Sequence, residues 1–249
     1  MKKGLPEWAQ QRFDPTQRYG LRLTLFAIAV LLLAVPFSFL LMQVLSAGPV
    51  TEVDQGIAES IFEWIHESDI LIGIAWVFSF LGIPPFFYAT IGGAAFWFFR
   101  KGYRRLALFM VTTPLVGGLI STVVKVLVDR ERPVFDEPIV EAFGKSFPSG
   151  HAMTATVGYG TLLFAFLPLI PDKWRLRAVA GYVILVLGVG ASRLGLGVHF
   201  LSDVLGGYIL GAAWLCVSVA TFRIWRREQH KRTADVIEGA EPEIAHQAS

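Results

Sequence analysis

Long stretches without charged residues constrain this chain more than any other feature of its sequence. A helix needs about 20 apolar residues to cross the roughly 30 Å hydrocarbon core of a bilayer. Six stretches approach or exceed that length with at most one charge, and they are residues 23–47, 70–99, 106–124, 152–170, 178–198 and 200–222. Only 17% of the 249 residues are charged. The sequence therefore predicts an all-α integral membrane protein built as a bundle of six transmembrane helices.

The first two stretches raise questions of processing and continuity. Residues 23–47 follow a basic N-terminus, but the 25 apolar and polar uncharged residues exceed the 7–15 residues of a secretory signal core, so we expect a retained anchor. Residues 70–99 contain Pro84 and Pro85 near their middle. Because each half alone is too short to span, we predict a single tilted or kinked helix.

The distribution of basic residues predicts the orientation in the membrane. Of the 22 Lys and Arg residues, 17 lie before span one, between spans two and three, between spans four and five, or after span six. The other five are Lys125, Arg130, Arg132, Lys145 and Arg193. Since loops rich in basic residues stay in the cytoplasm, we expect a multi-pass protein of the cell membrane with both termini cytoplasmic and the loop 128–150 outside.

Three segments follow from these spans: a cytoplasmic N-terminal segment at 1–22, the six-span domain at 23–222, and a cytoplasmic tail at 223–249. The tail becomes polar and acidic and lacks apolar periodicity, which is typical of disorder. Residues 51–68 carry Val53, Ile57, Ile61 and Ile65 at every fourth position. This pattern predicts a short amphipathic extracytoplasmic helix, which lies along the interface, caps the bundle or merely connects two spans.

The ionisable residues inside or beside the predicted spans share one property. Such residues are costly in a membrane and usually serve a function. They are Lys125, Arg132, His151, Arg193, His199 and Asp203. All six lie at the outer ends of spans, although they come from three distant parts of the sequence. The topology therefore predicts that they meet at one depth on the outer face.

The cationic members of this set favour binding of a multiply charged anion. Arg132 and Arg193 have forked donors that match phosphate oxygens, and Lys125 adds a point charge. Ser149 has the residue type of a helix N-cap, and Gly150 lets a ligand approach the backbone closely. Free N–H groups at a helix start bind phosphate well. We therefore predict a phosphate site.

The two histidines and the carboxylate predict catalysis at this site. His199 and Asp203 are four residues apart, so on a helix they share one face. Asp203 can accept one imidazole N–H and leave the other nitrogen of His199 free to attack. His151, at the start of another helix, can donate a proton to the leaving oxygen.

These residues form three patterns that resemble the signature motifs of the type 2 phosphatidic acid phosphatase (PAP2) family. The patterns are Lys125, six residues and Arg132-Pro133; Pro148-Ser149-Gly150-His151; and Ser192-Arg193, five residues, His199, three residues and Asp203. Their order matches the family, and the resemblance covers roughly residues 20–225. No catalytic position departs from the pattern.

The resemblance implies a role for each residue. His199 would form a phosphohistidine, Asp203 would orient it, and His151 would protonate the leaving group. Lys125, Arg132, Arg193, Ser149 and Gly150 would hold the phosphate. The family uses no metal or other cofactor. The partner would be a lipid phosphate in the bilayer, such as undecaprenyl diphosphate, phosphatidylglycerophosphate or phosphatidic acid, and the sequence leaves the oligomeric state open.

Other classes of function fit the same residues less well. A net charge of +2 is too small to indicate nucleic-acid binding. A channel or transporter could use intramembrane charges, but these cluster at one face. A metal site at His151, His199 and Asp203 would be opposed by three neighbouring cations. A vanadium haloperoxidase, which shares the anion site in a related family, would not need six spans.

The charge distribution makes the orientation testable. A reporter enzyme fused after Ser249 should give a cytoplasmic signal, because 17 of the 22 basic residues favour the cytoplasmic side for both termini. The matched control is the same reporter inserted in the loop 128–150, which should give an external signal. An external signal from the C-terminal fusion would reverse the orientation and place the site on the inner face.

Overall fold

The computed structural model describes the backbone of residues 21–247 and the side chains of Thr24 and residues 27–225. Within these bounds the chain is helical and contains no strand. The helices are α1 (Leu21–Leu45), α2 (Pro49–His66), α3 (Asp69–Leu81), α4 (Pro84–Arg100), α5 (Arg104–Val128), α6 (Gly150–Phe166), α7 (Asp172–Gly195) and α8 (Leu201–Gln247), with a 3₁₀ turn at Leu167–Leu169. The all-α prediction is confirmed. Most of the predicted N-terminal segment lies outside the described residues.

Five of the described helices are long and apolar enough to cross a membrane. Their spanning parts are Ala27–Leu45, Arg104–Val128, Gly150–Leu169, Asp172–Gly195 and Leu201–Trp225. A sixth span is counted if α2 and α3, which meet at 114°, are taken as one bent segment. Five of the six predicted stretches therefore each correspond to one spanning helix.

The second predicted stretch, residues 70–99, is not one helix. It is divided between α3 and α4, with Gly82 and Ile83 outside both. Ile83 is extended (φ −70°, ψ 141°) and Pro84 begins α4. A residue before proline is driven out of the helical region, while proline suits the first position of a helix. The carbonyl of Leu81 at the end of α3 instead accepts a hydrogen bond of 2.6 Å from the Tyr159 hydroxyl on α6.

Helix α2 confirms the predicted short amphipathic helix after the first span, but its buried face differs from the expected one. The sequence pattern indicates a buried stripe through Val53, yet that side chain is 59% exposed. The buried residues are instead Asp54, Ala58, Phe62 and Ile65. A buried aspartate replaces part of the apolar stripe because α2 packs on a polar cluster rather than only on lipid or apolar core. Helix α2 contacts α3 and α7.

The last helix extends further than the composition predicts. Helix α8 continues to Gln247, whereas we expect a disordered tail from residue 223. The segment beyond the membrane contains many Arg, Lys, Glu, Gln and Ala residues, which have high helix propensity. A helix already formed in the membrane also removes the nucleation cost of extending it. The predicted domain boundaries themselves stay predictions.

The larger of two compact units in the chain is Leu31–Leu215, and it contains every predicted site residue. The smaller unit contains the described residues 21–30 and 216–247. In the larger unit α6 is central, since it packs against α4, α5 and α7. Hydrogen bonds also tie helices together: the Trp214 indole donates to the Thr113 carbonyl at 2.8 Å, and the Tyr182 hydroxyl to the Thr156 carbonyl at 3.0 Å.

Small residues bring α8 close to the beginning of α6. A Cβ atom at Gly207 would lie 2.6 Å from the Ser149 carbonyl oxygen and 3.0 Å from the Ala152 Cβ. One turn later, a Cβ atom at Gly211 would lie 3.0 Å from the Thr156 Cβ. Glycines four residues apart allow this close helix packing in membranes. The contact sets the distance between the two helix starts that carry His151 and Asp203.

This packing predicts a position-specific effect of adding one methyl group. Gly207→Ala should destabilise the protein by about 1–3 kcal/mol, because backbone atoms of Ser149 and Met153, 2.6 and 3.2 Å from the new Cβ, cannot rotate away. Gly181→Ala on α7 is the control, since no atom lies within 4 Å of its Cβ position. Thermal unfolding in detergent would measure both. Equal midpoints for the two variants would contradict the close approach of α6 and α8.

Candidate active site

The loop 129–149 is held over the C-terminal end of α5 by Lys125. Its ammonium donates to the carbonyls of Lys145 at 2.7 Å and Ser146 at 3.2 Å. Helix α5 ends one turn after Lys125, with Asp129 in the left-handed conformation (φ 54°). A Cβ atom at Gly150 would lie 3.8 Å from the Lys125 Cε. Lys125 is therefore beside the start of α6, as the sequence predicts.

Asp203 is the most connected carboxylate of the site. It is fully buried in the first turn of α8. One oxygen, Oδ1, accepts a hydrogen bond of 2.7 Å from Arg130. The other, Oδ2, accepts hydrogen bonds from the Ser146 hydroxyl at 2.5 Å and the Phe200 N–H at 2.9 Å. The carboxylate is thus fixed in orientation as well as in position.

His199 lies beside Asp203, and the Ser146 hydroxyl is closer to each of them than they are to one another. The Nδ1 atom is 3.4 Å from Asp203 Oδ2 and 3.2 Å from the Ser146 Oγ. A hydroxyl donates one hydrogen, and Ser146 gives it to the acceptor-only carboxylate. Its oxygen can then accept from His199 Nδ1–H. The sequence predicts a direct contact between His199 and Asp203, and the structure adds this serine to it.

Arg132 lies at the other nitrogen of His199. Its Nη1 atom is 3.2 Å from His199 Nε2 and donates to the Val198 carbonyl at 2.6 Å. Further bonds to the carbonyls of Phe143 and Gly144 hold the guanidinium against the loop. An arginine is always a donor, so Nε2 must be the unprotonated, acceptor nitrogen. The neighbours on both sides therefore assign the same tautomer, with the lone pair on Nε2.

The ionisation of His199 follows from its surroundings. Burial lowers the pKa of His199 from 6.5 to about 4, and Asp203 opposes this effect through its hydrogen bond and charge. The charges of Arg132 and Lys125 contribute to this lowering, and the value of about 4 includes their effect. The imidazole is consequently neutral at physiological pH, which is the form that can act as a nucleophile.

Three predicted site residues have buried polar atoms that have no hydrogen-bond partner among the described residues. These atoms are Ser149 Oγ, His151 Nε2 and Arg193 Nε. Ser149 occupies the N-cap position of α6, but its side chain makes no capping hydrogen bond. Buried polar groups normally have partners. Their common location in one cluster suits a polar ligand with several acceptor oxygens.

His151 and Arg193 lie in the same cluster as the other predicted site residues. Lys125, Arg132, Arg193 and His199 all lie close enough to His151 to interact with it electrostatically. Arg193 is held from α3, where the Ser79 hydroxyl accepts a hydrogen bond of 2.5 Å from its Nη1. The structure thus brings together the eight predicted site residues from α5, α6, α7, α8 and two loops.

Sequence reasoning missed four residues in and around the predicted set: Asp54, Ser79, Arg130 and Ser146. Three of them contact members of the set directly, and Asp54 contacts Arg130. Arg130 is paired with the two carboxylates of Asp54 and Asp203. Ser79 and Ser146 have no signal that separates them from other serines. A buried aspartate on an otherwise apolar helix face was a usable signal for Asp54, because such a residue needs a cation or donors.

A metal site is not supported by the described side chains. Among them, no group of three or more His, Cys, Asp or Glu residues is arranged to hold a metal ion. Both oxygens of Asp203 already accept hydrogen bonds from protein donors. Three cations also surround the two histidines. The arrangement instead suits an oxyanion that is held by cations and attacked by a neutral imidazole.

Known proteins resemble this chain in sequence and in fold. Residues 105–227 match the PAP2 superfamily. The chain is 34% identical to phosphatidylglycerophosphatase B of Bacillus subtilis over 186 residues, which cover 70% of this chain and 87% of that protein. It is 32% identical to an undecaprenyl-diphosphatase of Sulfolobus acidocaldarius over 120 residues, 46% of this chain and 54% of that one.

A solved structure agrees with these sequence matches. The crystal structure of a transmembrane PAP2-type phosphatidylglycerolphosphate phosphatase from Bacillus subtilis matches 74% of this chain and 92% of its own, with 27% identity and a TM-score of 0.64. The three signature patterns, the helical membrane fold and these matches together show that the chain is a membrane phosphatase belonging to the PAP2 superfamily.

Proposed function

We propose that this protein hydrolyses a lipid phosphate or diphosphate at the outer face of the cell membrane, through a phosphohistidine on His199. The observation that carries the proposal is that Arg132 lies 3.2 Å from Nε2 of a neutral His199, while Lys125, Arg132 and Arg193 all lie close to His151. Family membership favours this hydrolase over the channel or transporter alternative. The outward location rests on the distribution of basic residues along the sequence.

The first step of the proposed reaction is attack on phosphorus. The lone pair on His199 Nε2 forms a bond to phosphorus while the bond from phosphorus to the lipid oxygen breaks. Ser146 and Asp203 stabilise the charge that develops on the imidazole, since Nδ1–H points into their hydrogen-bonded pair. Arg132, Arg193 and Lys125 stabilise the equatorial phosphoryl oxygens, with Ser149 and the Gly150 N–H at the helix start.

The second proposed role belongs to His151. The negative charge of the bound phosphate offsets the neighbouring cations, so that His151 can hold a proton, donate it to the departing lipid oxygen and become a neutral base. It then removes a proton from a water molecule that attacks the phosphohistidine. Cleavage of the bond between phosphorus and nitrogen releases inorganic phosphate and restores neutral His199 and protonated His151. The charge that a metal would supply in other phosphatases comes here from the three side-chain cations.

A lipid substrate is supported by the depth of the site and by the relatives. The cations lie at the outer ends of membrane helices, where a lipid can present its phosphate from the bilayer. The relatives are named for phosphatidylglycerophosphate and undecaprenyl diphosphate. We therefore propose phosphatidylglycerophosphate, undecaprenyl diphosphate and phosphatidic acid as the candidates. The first is favoured, since that relative matches 70% of this chain.

The proposal predicts phosphate release that depends on His199 and not on added metal. Purified protein in excess EDTA should release phosphate from at least one of the three lipids faster than from a soluble sugar phosphate. Acid-quenched reactions with labelled substrate should yield a labelled peptide that contains His199, and His199→Ala should abolish both label and turnover. His151→Ala should retain more activity on an ester with a good leaving group, which needs little protonation.

Two results would contradict this mechanism, and a third would contradict the assignment of a lipid substrate. Label on the peptide that contains His151 would exchange the roles of the two histidines. Activity lost in EDTA and restored by Mg²⁺ would show that a metal supplies the charge. Faster hydrolysis of the soluble sugar phosphate than of all three lipids would overturn the lipid assignment.

The buried environment of His199 predicts the pH dependence of activity. Because the pKa of His199 is lowered to about 4, the imidazole stays neutral as pH falls through 6.5 and is protonated only near pH 4. The acidic limb of kcat/KM that belongs to the enzyme should therefore lie near pH 4. Two substrates whose phosphates ionise at different pH separate the enzyme's limb from the substrate's. An acidic limb near pH 6.5 that is common to both would contradict the assignment.

A further inference from the structure

Arg130 links the proposed active site to Asp54 on α2. Neither Arg130 nor Asp54 has a role in the mechanism above. The Nη1 atom of Arg130 donates to Asp203 Oδ1 at 2.7 Å, and its Nη2 donates to Asp54 Oδ2 at 2.8 Å. The Arg130 side chain is 11% exposed, and those of Asp54 and Asp203 are 3% and 0% exposed. One arginine thus pairs with two buried carboxylates from separate helices.

The same guanidinium contacts most of the turn that carries the nucleophile. It lies 4.3 Å from the centre of the Phe200 ring and donates to the Ser202 hydroxyl at 2.6 Å. Asp54 reinforces this hold, since its Oδ1 accepts a hydrogen bond of 2.9 Å from the Ser202 N–H and its Oδ2 one from the Ser202 hydroxyl. The turn 199–203 is therefore clamped from α2 and from the loop after α5.

Arg130 and Asp54 together form this clamp. It acts on the oxygen of Asp203 that faces away from His199. Arg130 binds Oδ1, while Ser146 and His199 face Oδ2. Rotation of the carboxylate plane away from this orientation would break the bond to Arg130 and misdirect Oδ2. Ser146 would then lose the fixed acceptor that orients its hydroxyl toward Asp203. The bond to Arg130 therefore maintains the chain of hydrogen bonds that holds the imidazole tautomer.

We propose that Arg130 and Asp54 are positioning residues: Arg130 fixes the carboxylate of Asp203, and Asp54 on α2 fixes Arg130. The inference rests on the proposed function of His199. It assigns to α2 a part in catalysis rather than in membrane binding or connection alone. The phosphate itself is held by other residues, so loss of the clamp should slow the chemical step and leave substrate binding nearly unchanged.

The test compares charge-removing variants of similar shape. Arg130→Gln should lower kcat by about 10- to 100-fold, with KM nearly unchanged. This is the loss found when a residue that orients a metal ligand is replaced, and Arg130 orients Asp203 in a comparable way. The rate of phosphohistidine formation in a single turnover should fall by the same factor. Asp54→Asn leaves Arg130 paired with Asp203, so its loss in kcat should be smaller.

The double variant Asp54→Asn/Arg130→Gln separates positioning from folding. Arg130→Gln alone leaves two buried carboxylates without a cation, which is strongly destabilising. The double variant removes one of these charges, so its thermal midpoint should rise above that of Arg130→Gln while its kcat stays low. If Arg130→Gln does not fold, the double variant and Asp54→Asn still report the effect on kcat.

A matched control is the exposed ion pair of the same loop. Glu131 pairs with Lys145, and its side chain is 86% exposed, so Glu131→Gln should keep kcat within about twofold. Wild-type kcat in Arg130→Gln, a loss confined to KM, or recovery of kcat together with stability in the double variant would each overturn the inference. Absence of phosphatase activity and of label in the wild type would instead overturn the proposed function, which distinguishes the two failures.

Discussion

The buried carboxylate of Asp203 is the interaction on which the arrangement of the site depends. It cannot remain ionised away from water without donors and a cation. The structure supplies these from Arg130, Ser146 and the Phe200 N–H, while the Asp203 carbonyl accepts from the Ser149 N–H at 2.9 Å. The carboxylate of Asp203 thus ties α8 to the loop 129–149, and its backbone carbonyl ties α8 to the start of α6.

Close packing of helices provides the frame for this polar cluster. Glycines on α8 let the start of α6 approach to backbone distance, and a Cβ atom at Gly190 on α7 would clash with the Tyr208 hydroxyl. Without such small residues, side-chain volume would separate the helices and, with them, the polar groups of the candidate site. Apolar contact between helices gains little in lipid, so packing and interhelical hydrogen bonds supply much of the association energy. The geometry of the candidate site therefore depends on glycines deeper in the bundle.

The site combines cations that repel one another with groups that limit the repulsion. Arg132 and Lys125 are held by backbone carbonyls, and Arg193 by the Ser79 hydroxyl. None of these three forms a direct ion pair with a carboxylate in the described part of the chain. Arg130, in contrast, is fully paired. Neighbouring arginines in one motif thus have opposite electrostatic tasks: Arg132 keeps its charge available to an anion, and Arg130 uses its charge inside the protein.

The sequence by itself determined the membrane class, five of the spanning stretches and the site's members, because long apolar runs and rare intramembrane charges are local features with strong energetic cost. It could not determine where the helix over 70–99 breaks, since a Pro-Pro pair allows both a kink and an end. The composition also did not predict that α8 continues to Gln247. Tertiary structure decided which polar residues pair. Asp54 meets Arg130 across 76 positions and Arg193 meets Ser79 across 114, and such long-range pairing follows from packing that no local pattern encodes.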